Sequence, residues 1–351
     1  PIAIKSRVQL MTDDQNRLWQ TVSQERADFI ESHIGKLPND ILKLVHLTGV
    51  WPGGGIYKLE APNLGQGLWV YTTFGLSNPD MPTTVTVADS SVDKQQGRVA
   101  SFDVSLAKKE NVPVYPGRPG YGYEMMVVTQ GPADWPLAFL QWAVDTELLY
   151  DADILGRVEQ YGGLTTEDIA VGQGDYVNVL ISKAASPIPS AMTLSNGEAT
   201  VLIATVITDD EMVWSMSNSR EALAAHLQNS ELGQISQLNR QSLFHPNAVD
   251  LSTIDSREAA EGLAQKGLLR SVHIFPLEFG GKDAPENIVY MPKTAALKKR
   301  TIDNKIAVLV QQKKVKGCSI KPTYKGKSFI PSTLSFELSG EAGFQETLEI
   351  W

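Results

Sequence analysis

The sequence predicts an α/β (α+β) protein with a large first part and a smaller C-terminal α+β domain. Apolar residues recur at helical spacing in the first forty residues and again after Asp134. Short runs rich in β-branched and aromatic residues recur between residues 56 and 206 and predict strands. A polar stretch over residues 228–240 then precedes a part of different character, so we place a linker near residues 230–250.

The first 48 residues predict an N-terminal helical segment. Asp13 and Asp14 can cap a helix whose apolar residues continue at helical spacing to Ile34. A glycine and a proline then interrupt the pattern. After them, Asn39 can cap a short second helix over Asp40–His46.

Residues 49–240 form the predicted main domain. Seven segments in it predict strands: Ile56–Leu59, Leu68–Phe74, Thr84–Val87, Ala100–Ser105, Tyr123–Thr129, Tyr176–Ile181 and Ala199–Val206. Asp134 is a natural N-cap, and Pro136 falls in the first helical turn, where its missing N–H costs nothing. Asn196-Gly197 predicts a turn before the last strand, and Asn218 predicts a further helix N-terminus.

Residues 241–351 predict a smaller basic domain that mixes helix and strand. A short helix is predicted over Ser256–Lys266. Three segments predict strands: Val272–Pro276, Asn287–Met291 and Ile306–Val310. The lysine-rich segment Lys293–Arg300 suits either a helix or a loop.

The formal net charge of −9 is unevenly distributed along the chain. Residues 1–240 carry 16 Lys and Arg against 28 Asp and Glu, a balance of −12. Residues 241–351 carry 15 against 12, a balance of +3. The larger part should therefore repel nucleic acid and anionic membranes and attract a basic protein surface. Solubility alone is the alternative explanation of this acidic balance.

The composition limits the class of protein and the cellular compartment that we expect. Hydrophobic residues make up 42% of the chain, which suffices for ordinary cores. No apolar run approaches the roughly 18 residues that span a bilayer, and the N-terminal segment lacks the apolar region of a secretory signal. Cys318 is the only cysteine and can form no internal disulfide, which fits a reducing compartment. We therefore expect a cytoplasmic protein that does not bind membranes.

The sequence contains no motif for catalysis, cofactor binding or metal binding. None of the five histidines has a second His or a Cys at a metal-ligand spacing. Gly75-Leu-Ser77-Asn-Pro79 departs from a nucleophile elbow at its last position. Gly120-Tyr-Gly122 begins a dinucleotide-binding pattern, but Met125 occupies the position of its last glycine. We therefore predict no catalytic residue, no cofactor and no metal.

The exclusion of a catalytic or metal site is weakest at one acidic cluster, which consists of Asp209, Asp210 and Glu211. It follows a predicted buried strand, a position where sites often form in α/β folds. Adjacent carboxylates there could bind a divalent cation, activate water or contact a basic partner. A solvated turn that caps the following segment is the alternative without a function.

The lysines near the C-terminus admit a nucleic-acid interpretation. Six of them lie within fifteen residues: Lys313, Lys314, Lys316, Lys321, Lys325 and Lys327. Tyr324 and Phe329 are the only aromatic residues near them, and no RNA-recognition or zinc-finger motif accompanies them. A solvated hairpin face explains the lysines better, so no nucleic-acid partner is predicted. An adaptor that binds nucleic acid through this tail stays as an alternative.

Five short segments occur here in the order found in one protein family. They are Tyr71-Thr-Thr-Phe-Gly-Leu-Ser77, Tyr121-Gly-Tyr-Glu124, Trp135-Pro136, Gly172-Gln-Gly-Asp175 and Thr208-Asp-Asp-Glu211. On these segments, residues of about 50–230 resemble the suppressor of fused domain. The resemblance implies a mixed-sheet α/β sandwich flanked by helices. It also implies a non-enzymatic role, because the animal member sequesters a transcription factor by clamping a peptide between its two lobes.

A second resemblance concerns the C-terminal part, which departs from the animal protein after about residue 240. Phe275-Pro-Leu-Glu-Phe-Gly-Gly281 and Pro285-Glu-Asn-Ile-Val-Tyr-Met-Pro292 resemble a module appended to bacterial members, which are proposed to be immunity proteins of polymorphic toxin systems. The resemblance implies a bacterial immunity or sequestering protein that neutralises a toxin or another protein by occlusion. The predicted partner-contact residues are Tyr121, Tyr123, Asp209, Asp210 and Glu211. A hydrolase that uses the acidic cluster, with or without a divalent metal, is the alternative.

Overall fold

A computed structural model describes the protein over residues 3–6, 13–42, 45–46, 49–50, 54–93, 98–109, 116–172, 175–238, 240–244, 249–341 and 343–351. The chain forms two compact units. Unit 1 comprises Pro1–Val171, Val179–Val206 and Arg220–Leu238. Unit 2 comprises Gly172–Asn178, Ile207–Ser219 and Asn239–Trp351. The domain boundaries predicted at residues 48 and 240 stay predictions.

Helices and strands are mixed along the described chain. The helices are α1 Asp13–His33, α2 Trp135–Tyr150, α3 Ile154–Tyr161, α4 Asp209–Ser217, α5 Arg220–Gln228, α6 Arg257–Gln265 and α7 Lys293–Gln311. The strands are β1 Ala3–Ser6, β2 Val45–His46, β3 Gly49–Val50, β4 Gly55–Glu60, β5 Leu68–Phe74, β6 Thr83–Asp93, β7 Arg98–Lys108, β8 Tyr123–Gln130, β9 Leu164–Gly172, β10 Asp175–Lys183, β11 Ala191–Leu194, β12 Gly197–Ile207, β13 Ile235–Ser236, β14 Arg270–His273, β15 Ile288–Met291, β16 Val315–Tyr324, β17 Pro331–Gly340 and β18 Gln345–Glu349. None of these helices combines the length with the hydropathy that a bilayer-spanning segment requires.

The largest sheet is mixed, and its strand order is β4-β5-β8-β12-β10-β9. Strand β8 pairs with β5 in the antiparallel direction and with β12 in the parallel direction. Strand β11 joins β12, and the two-residue strand β13 extends β8 where β12 has diverged from it. The mixed sheet, its flanking helices and a separate C-terminal sheet confirm the predicted fold class.

Strand β8 contributes side chains to both faces of this sheet, because successive residues of a strand point to opposite sides. Met126 and Val128 lie in the core cluster that also contains Val22 and Ile30 of α1. On the other face, the Tyr123 hydroxyl donates a hydrogen bond to Glu147 of α2. The sheet is therefore buried between two helical layers, and β8 connects both.

A buried ion pair joins α1 to the sheet. The Arg26 guanidinium lies 3.2 Å from the Glu124 carboxylate, and the two side chains are only 1% and 2% exposed. Arg26 also donates hydrogen bonds to Ser77 and Asn78 and stacks 4.4 Å from the centre of the Phe74 ring. Burial lowers the pKa of Arg26, and the Glu124 carboxylate opposes that shift.

The Glu124 carboxylate is also surrounded by donors from the end of β5 and the turn after it. The backbone N–H groups of Gly75 and Ser77 lie 2.8 and 3.0 Å from its Oε1 atom. The hydroxyls of Ser77 and Thr73 donate to its two oxygens at 2.7 and 2.6 Å. Two segments of the sequence resemblance, residues 71–77 and 121–124, therefore meet at a single carboxylate.

Unit 2 has a core of its own. Its strands form a β14-β15 hairpin and a β16-β17-β18 antiparallel sheet. Ile302 and Ile306 of α7 share a buried cluster with Leu334 and Phe336 of β17. All six lysines between residues 313 and 327 are exposed on or beside β16, as expected of a solvated hairpin face.

Two predicted elements are wrong, and one begins later than predicted. Leu42 bridges to Ile56 and Val45–His46 is a strand, so the described part of 40–46 is not the predicted second helix. Ile306–Val310 lies inside α7 rather than in a strand, because Ile302 and Ile306 are core residues one helical turn apart. The helix predicted from Asn218 is present as α5 and begins at Arg220, because Asn218 is the C-cap of α4, a helix that the sequence did not predict.

We expect Glu124→Gln to lower the free energy of unfolding by about 3–5 kcal/mol, because it leaves the buried Arg26 charge without its counter-ion. Denaturant titration followed by circular dichroism measures this loss. Arg17→Ala is the matched control, because Arg17 lies on α1 as Arg26 does and also forms an ion pair. The Arg17 and Asp14 side chains are 76% and 88% exposed, so their pair contributes about 0–1 kcal/mol. Equal stability of the two variants would contradict the structural role of the buried pair.

Candidate functional site

The acidic cluster Asp209, Asp210 and Glu211 forms the first turn of α4. Negative side chains are favourable at a helix N-terminus, and Glu211 accepts a hydrogen bond from the Thr208 N–H at 3.0 Å. Asp210 is 5% exposed and Glu211 is fully buried. The alternative of a solvated turn is therefore wrong for these two residues.

Glu211 forms a bidentate ion pair with Arg240. The side chains are 0% and 3% exposed, and the Leu243 N–H also donates to the carboxylate at 2.9 Å. Two parallel hydrogen bonds of this kind match the fixed geometry of a guanidinium and a carboxylate. Glu211 therefore fastens α4 to residues 240–243 of the same unit.

Asp210 is held by two hydroxyl groups. Thr208 donates to one of its oxygens at 2.6 Å, and Ser242 donates to the other. Close by, Trp214 of α4 stacks on Phe244 with 4.7 Å between ring centroids. These contacts attach a second side of α4 to the segment after residue 240.

Asp209 contacts two cations and an amide. The Lys293 ammonium lies 2.8 Å away, the Arg270 guanidinium 3.2 Å away and the Asn178 amide 2.7 Å away. Its side chain is 11% exposed, which makes it the most accessible carboxylate of the three. Asp209 thus connects α4 to β14 and to the start of α7.

The three carboxylates point to separate sets of internal donors and do not converge on a common space. Within the part of the chain that the structure describes, no group of three or more His, Cys, Asp and Glu side chains has a geometry that could hold a metal ion. A hydrolytic centre needs a carboxylate that is free to bind or deprotonate water. The geometry of the acidic cluster therefore gives the hydrolase alternative no support.

Tyr121 and Tyr123 are 4% and 1% exposed in unit 1. The Tyr121 N–H donates to the Leu76 carbonyl. Gly120 before it has a φ of 57°, and a Cβ there would meet that same carbonyl at 2.3 Å, so both the backbone conformation and the close approach require glycine. Burial raises the pKa of both phenols, and Glu147 raises them further. Both rings are enclosed by the protein itself, so their contact with a partner stays a prediction.

Glu147 organises the corner between α2 and α3. It accepts hydrogen bonds from the Tyr123 hydroxyl at 2.8 Å and from the N–H groups of Asp153 and Ile154, both at 3.1 Å. Asp153 in turn caps α3 by accepting a hydrogen bond from Gly156. Burial raises the pKa of Glu147, and these hydrogen bonds oppose the shift.

Two other residues with reactive groups are unsuited to catalysis. The Ser77 hydroxyl is buried, and the Glu124 carboxylate to which it donates is already paired with Arg26 and with two backbone N–H groups, so the geometry indicates a structural hydrogen bond and not an activated nucleophile. Burial raises the pKa of the Cys318 thiol, which lowers the fraction of reactive thiolate. Both findings agree with the structural interpretation that the sequence favoured.

An open groove in unit 1 was missed by the sequence analysis. It has a volume of about 380 Å³ and lies beside β13, between residues 185–188 and 228–235. Its lining includes Leu64, Leu68 and Val128. Residues 230–235 lie in the predicted linker, because polar residues dominate residues 228–240. The hydrophobic residues Leu232 and Ile235 are the only signal in this segment that indicates a structured wall.

Comparison with known proteins identifies the family. The model described as Suppressor of fused protein matches residues 54–241, more than half of the chain. The chain belongs to the suppressor of fused family. The family is one of protein-binding regulators. The matched region contains Glu124, Glu147 and Glu211, whereas Arg26 lies outside it, so the buried ion pair of unit 1 extends beyond the matched residues.

Two solved structures are similar to this chain. The Sufu–Fu complex is 15% identical with a TM-score of 0.38, and the match covers 65% of this chain and 92% of that chain. Drosophila Suppressor of Fused is 14% identical with a TM-score of 0.36, and the match covers 76% of this chain and 60% of that chain. Comparison with curated protein sequences found no match.

We expect Arg240→Met to lower the free energy of unfolding by about 3–5 kcal/mol, because the buried Glu211 carboxylate loses its counter-ion. Lys305→Met is the matched control in the same unit, since the Lys305–Glu346 pair is 54% and 33% exposed and contributes about 0–1 kcal/mol. Urea titration of both variants measures the difference. A variant at position 240 that unfolds like the wild type would show that the pair is not structural.

We expect the wild type to lose stability relative to Glu147→Gln as the pH rises from 4.5. The folded-state pKa of Glu147 lies above its usual value of 4.5, so the folded state binds the proton more tightly, and its contribution falls as the carboxyl ionises. Unfolding midpoints of both proteins between pH 4 and pH 8 measure the difference. A difference that is constant, or that grows in favour of the wild type, would contradict the raised pKa.

Proposed function

We propose that the chain is a non-enzymatic binding protein that neutralises a protein partner by occlusion. The observation that carries the proposal is its membership of a family of protein-binding regulators. The contacts of the acidic cluster support it. The carboxylates best placed for chemistry already form hydrogen bonds and ion pairs with the protein's own cations, amides and hydroxyls.

The charge distribution favours a basic partner. Residues 1–240 carry a balance of −12, with 16 basic against 28 acidic residues. Because Glu124, Asp210 and Glu211 are buried, the field that a partner of this acidic part would meet arises mainly from its exposed side chains. Glu60, Glu198 and Glu221 are examples. Opposite charges on two proteins raise the association rate and make it depend on salt.

A toxin domain is the partner that we propose, with this chain as a bacterial, cytoplasmic immunity protein. Support comes from the resemblance of residues 275–281 and 285–292 to a module appended to bacterial members of the family. A toxin domain that acts on nucleic acid would carry a basic surface, because it must attract phosphates. An acidic protein that covers such a surface would block it without any chemical step.

The test begins with capture from a native lysate of the source cells, followed by kinetics with the purified partner. We expect the association rate constant to fall about tenfold or more between 50 and 500 mM NaCl. The triple variant Glu60→Lys, Glu198→Lys and Glu221→Lys should associate more slowly at low salt with little change in the dissociation rate. Surface plasmon resonance measures both rates.

The control reverses charges of the other sign in the basic part. Lys316→Glu, Lys321→Glu and Lys327→Glu alter three exposed lysines, so this variant should associate at least as fast as the wild type. Capture of nucleic acid or small molecules without any protein would overturn the proposal. An association rate that does not respond to salt would overturn the basic character of the partner.

A further inference from the structure

The groove beside β13 has a buried apolar floor. Leu68, Val128 and Ile188 line it and are 8%, 3% and 5% exposed. Ile235 lies on its wall, where β13 pairs with Val128 and Thr129 of β8 in the parallel direction. Its volume of about 380 Å³ is at the lower end of the roughly 300–1,000 Å³ of ligand pockets.

Hydrogen bonds within the protein fix the two walls. The Gln234 side chain accepts a bond from the Ala185 N–H at 2.9 Å and donates to the Lys183 carbonyl and the Ser182 hydroxyl at 3.0 Å. The Ser230 hydroxyl donates to the Leu227 carbonyl and accepts from the Leu232 N–H. A groove held in this way is preformed, which lowers the entropy cost of binding.

The same bonds leave the groove with a simple surface chemistry. Gln234 and Ser230 are engaged with the walls, and more of the groove surface is apolar than polar, although the exposed Ser186 and Gln228 also line it. Glu231 lies on the lining and is exposed, so the one formal charge among the lining residues is negative. This combination matches an apolar side chain that has a cation next to it.

We propose that the groove binds a segment of the protein partner that presents a large aliphatic or aromatic side chain flanked by lysine or arginine. This inference rests on the proposed function and names the chemistry of one contact. Burial of the apolar side chain would supply most of the affinity, and the flanking cation would pair with Glu231. A second copy of this chain is a poorer occupant, since residues 1–240 of both copies carry a balance of −12.

The test uses three capped pentapeptides and methyl NMR spectra of the full-length chain. The peptides are Gly-Lys-Leu-Lys-Gly, Gly-Lys-Ala-Lys-Gly and Gly-Glu-Leu-Glu-Gly. We expect saturable shifts of the Leu64, Leu232 and Ile235 methyl groups with the first peptide at millimolar concentration. The alanine peptide should bind about tenfold more weakly, and the glutamate peptide about fivefold more weakly.

Two substitutions separate the groove from the rest of the surface. Glu231→Lys should reverse the preference between the lysine and glutamate peptides, whereas Glu198→Lys, a control at an exposed residue outside the lining, should leave the preference unchanged. Leu232→Glu should abolish the shifts at Leu64 and Ile235. Methyl spectra elsewhere in unit 1 report whether each variant stays folded.

Three outcomes would overturn the proposal. The first is the absence of saturable shifts at the groove with the lysine–leucine peptide. The second is binding of toluene, used as a neutral apolar probe, together with no preference between the peptides, which would indicate a small-molecule pocket. The third is a concentration dependence of the same methyl signals without peptide, which would indicate a second copy.

The partner experiment distinguishes this inference from the proposed function. If folded Leu232→Glu captures the same protein partner with unchanged affinity, the groove proposal fails and the proposed function stands. If the wild type captures no protein, the proposed function fails, and the peptide titrations alone decide whether the groove binds apolar cationic segments.

Discussion

The architecture of unit 1 depends on a carboxylate that is buried in its interior. Glu124 is enclosed by the Arg26 guanidinium and by donors from the end of β5. An unpaired charge at this depth would be very unfavourable, so helix α1, strand β8 and the turn after β5 must assemble together. The neighbouring residue, Tyr123, contacts Glu147 of α2 on the opposite face. Two consecutive residues of one strand therefore position both helical layers.

This arrangement also fixes the register of β8. A shift by one residue would exchange the faces of all its side chains. Glu124 would then point toward Glu147, where two buried carboxylates would repel each other, and Tyr123 would face Arg26. Apolar residues such as Met125 and Met126 could exchange places at a smaller cost. The polar pair, more than the apolar content of the strand, therefore distinguishes the native register from its nearest competitor.

The sequence predicts local structure well where hydrophobic runs end at turn residues. Strand β5 was predicted with its observed bounds, and β8 differs by one residue at its end. Helix α7 was mistaken in part for a strand because β-branched residues and lysines obscure its core positions. The partners of Glu124 could not be predicted, since Arg26 lies 98 residues away in sequence. The groove was equally hidden, because its two walls come from separate loops and only folding brings them together.

The family signature and the proposed binding groove involve different residues. The signature carboxylates Glu124 and Glu211 each pair with a buried arginine, so their charges cancel inside the protein and contribute little to the field that a partner meets. A substitution at an exposed loop residue such as Glu231 disturbs the fold less than one in such a buried pair. A family can then keep one architecture while its members bind unrelated proteins. On this basis, we expect the chemistry of loops and grooves to be a better guide to the proposed partner than the motifs that reveal the family.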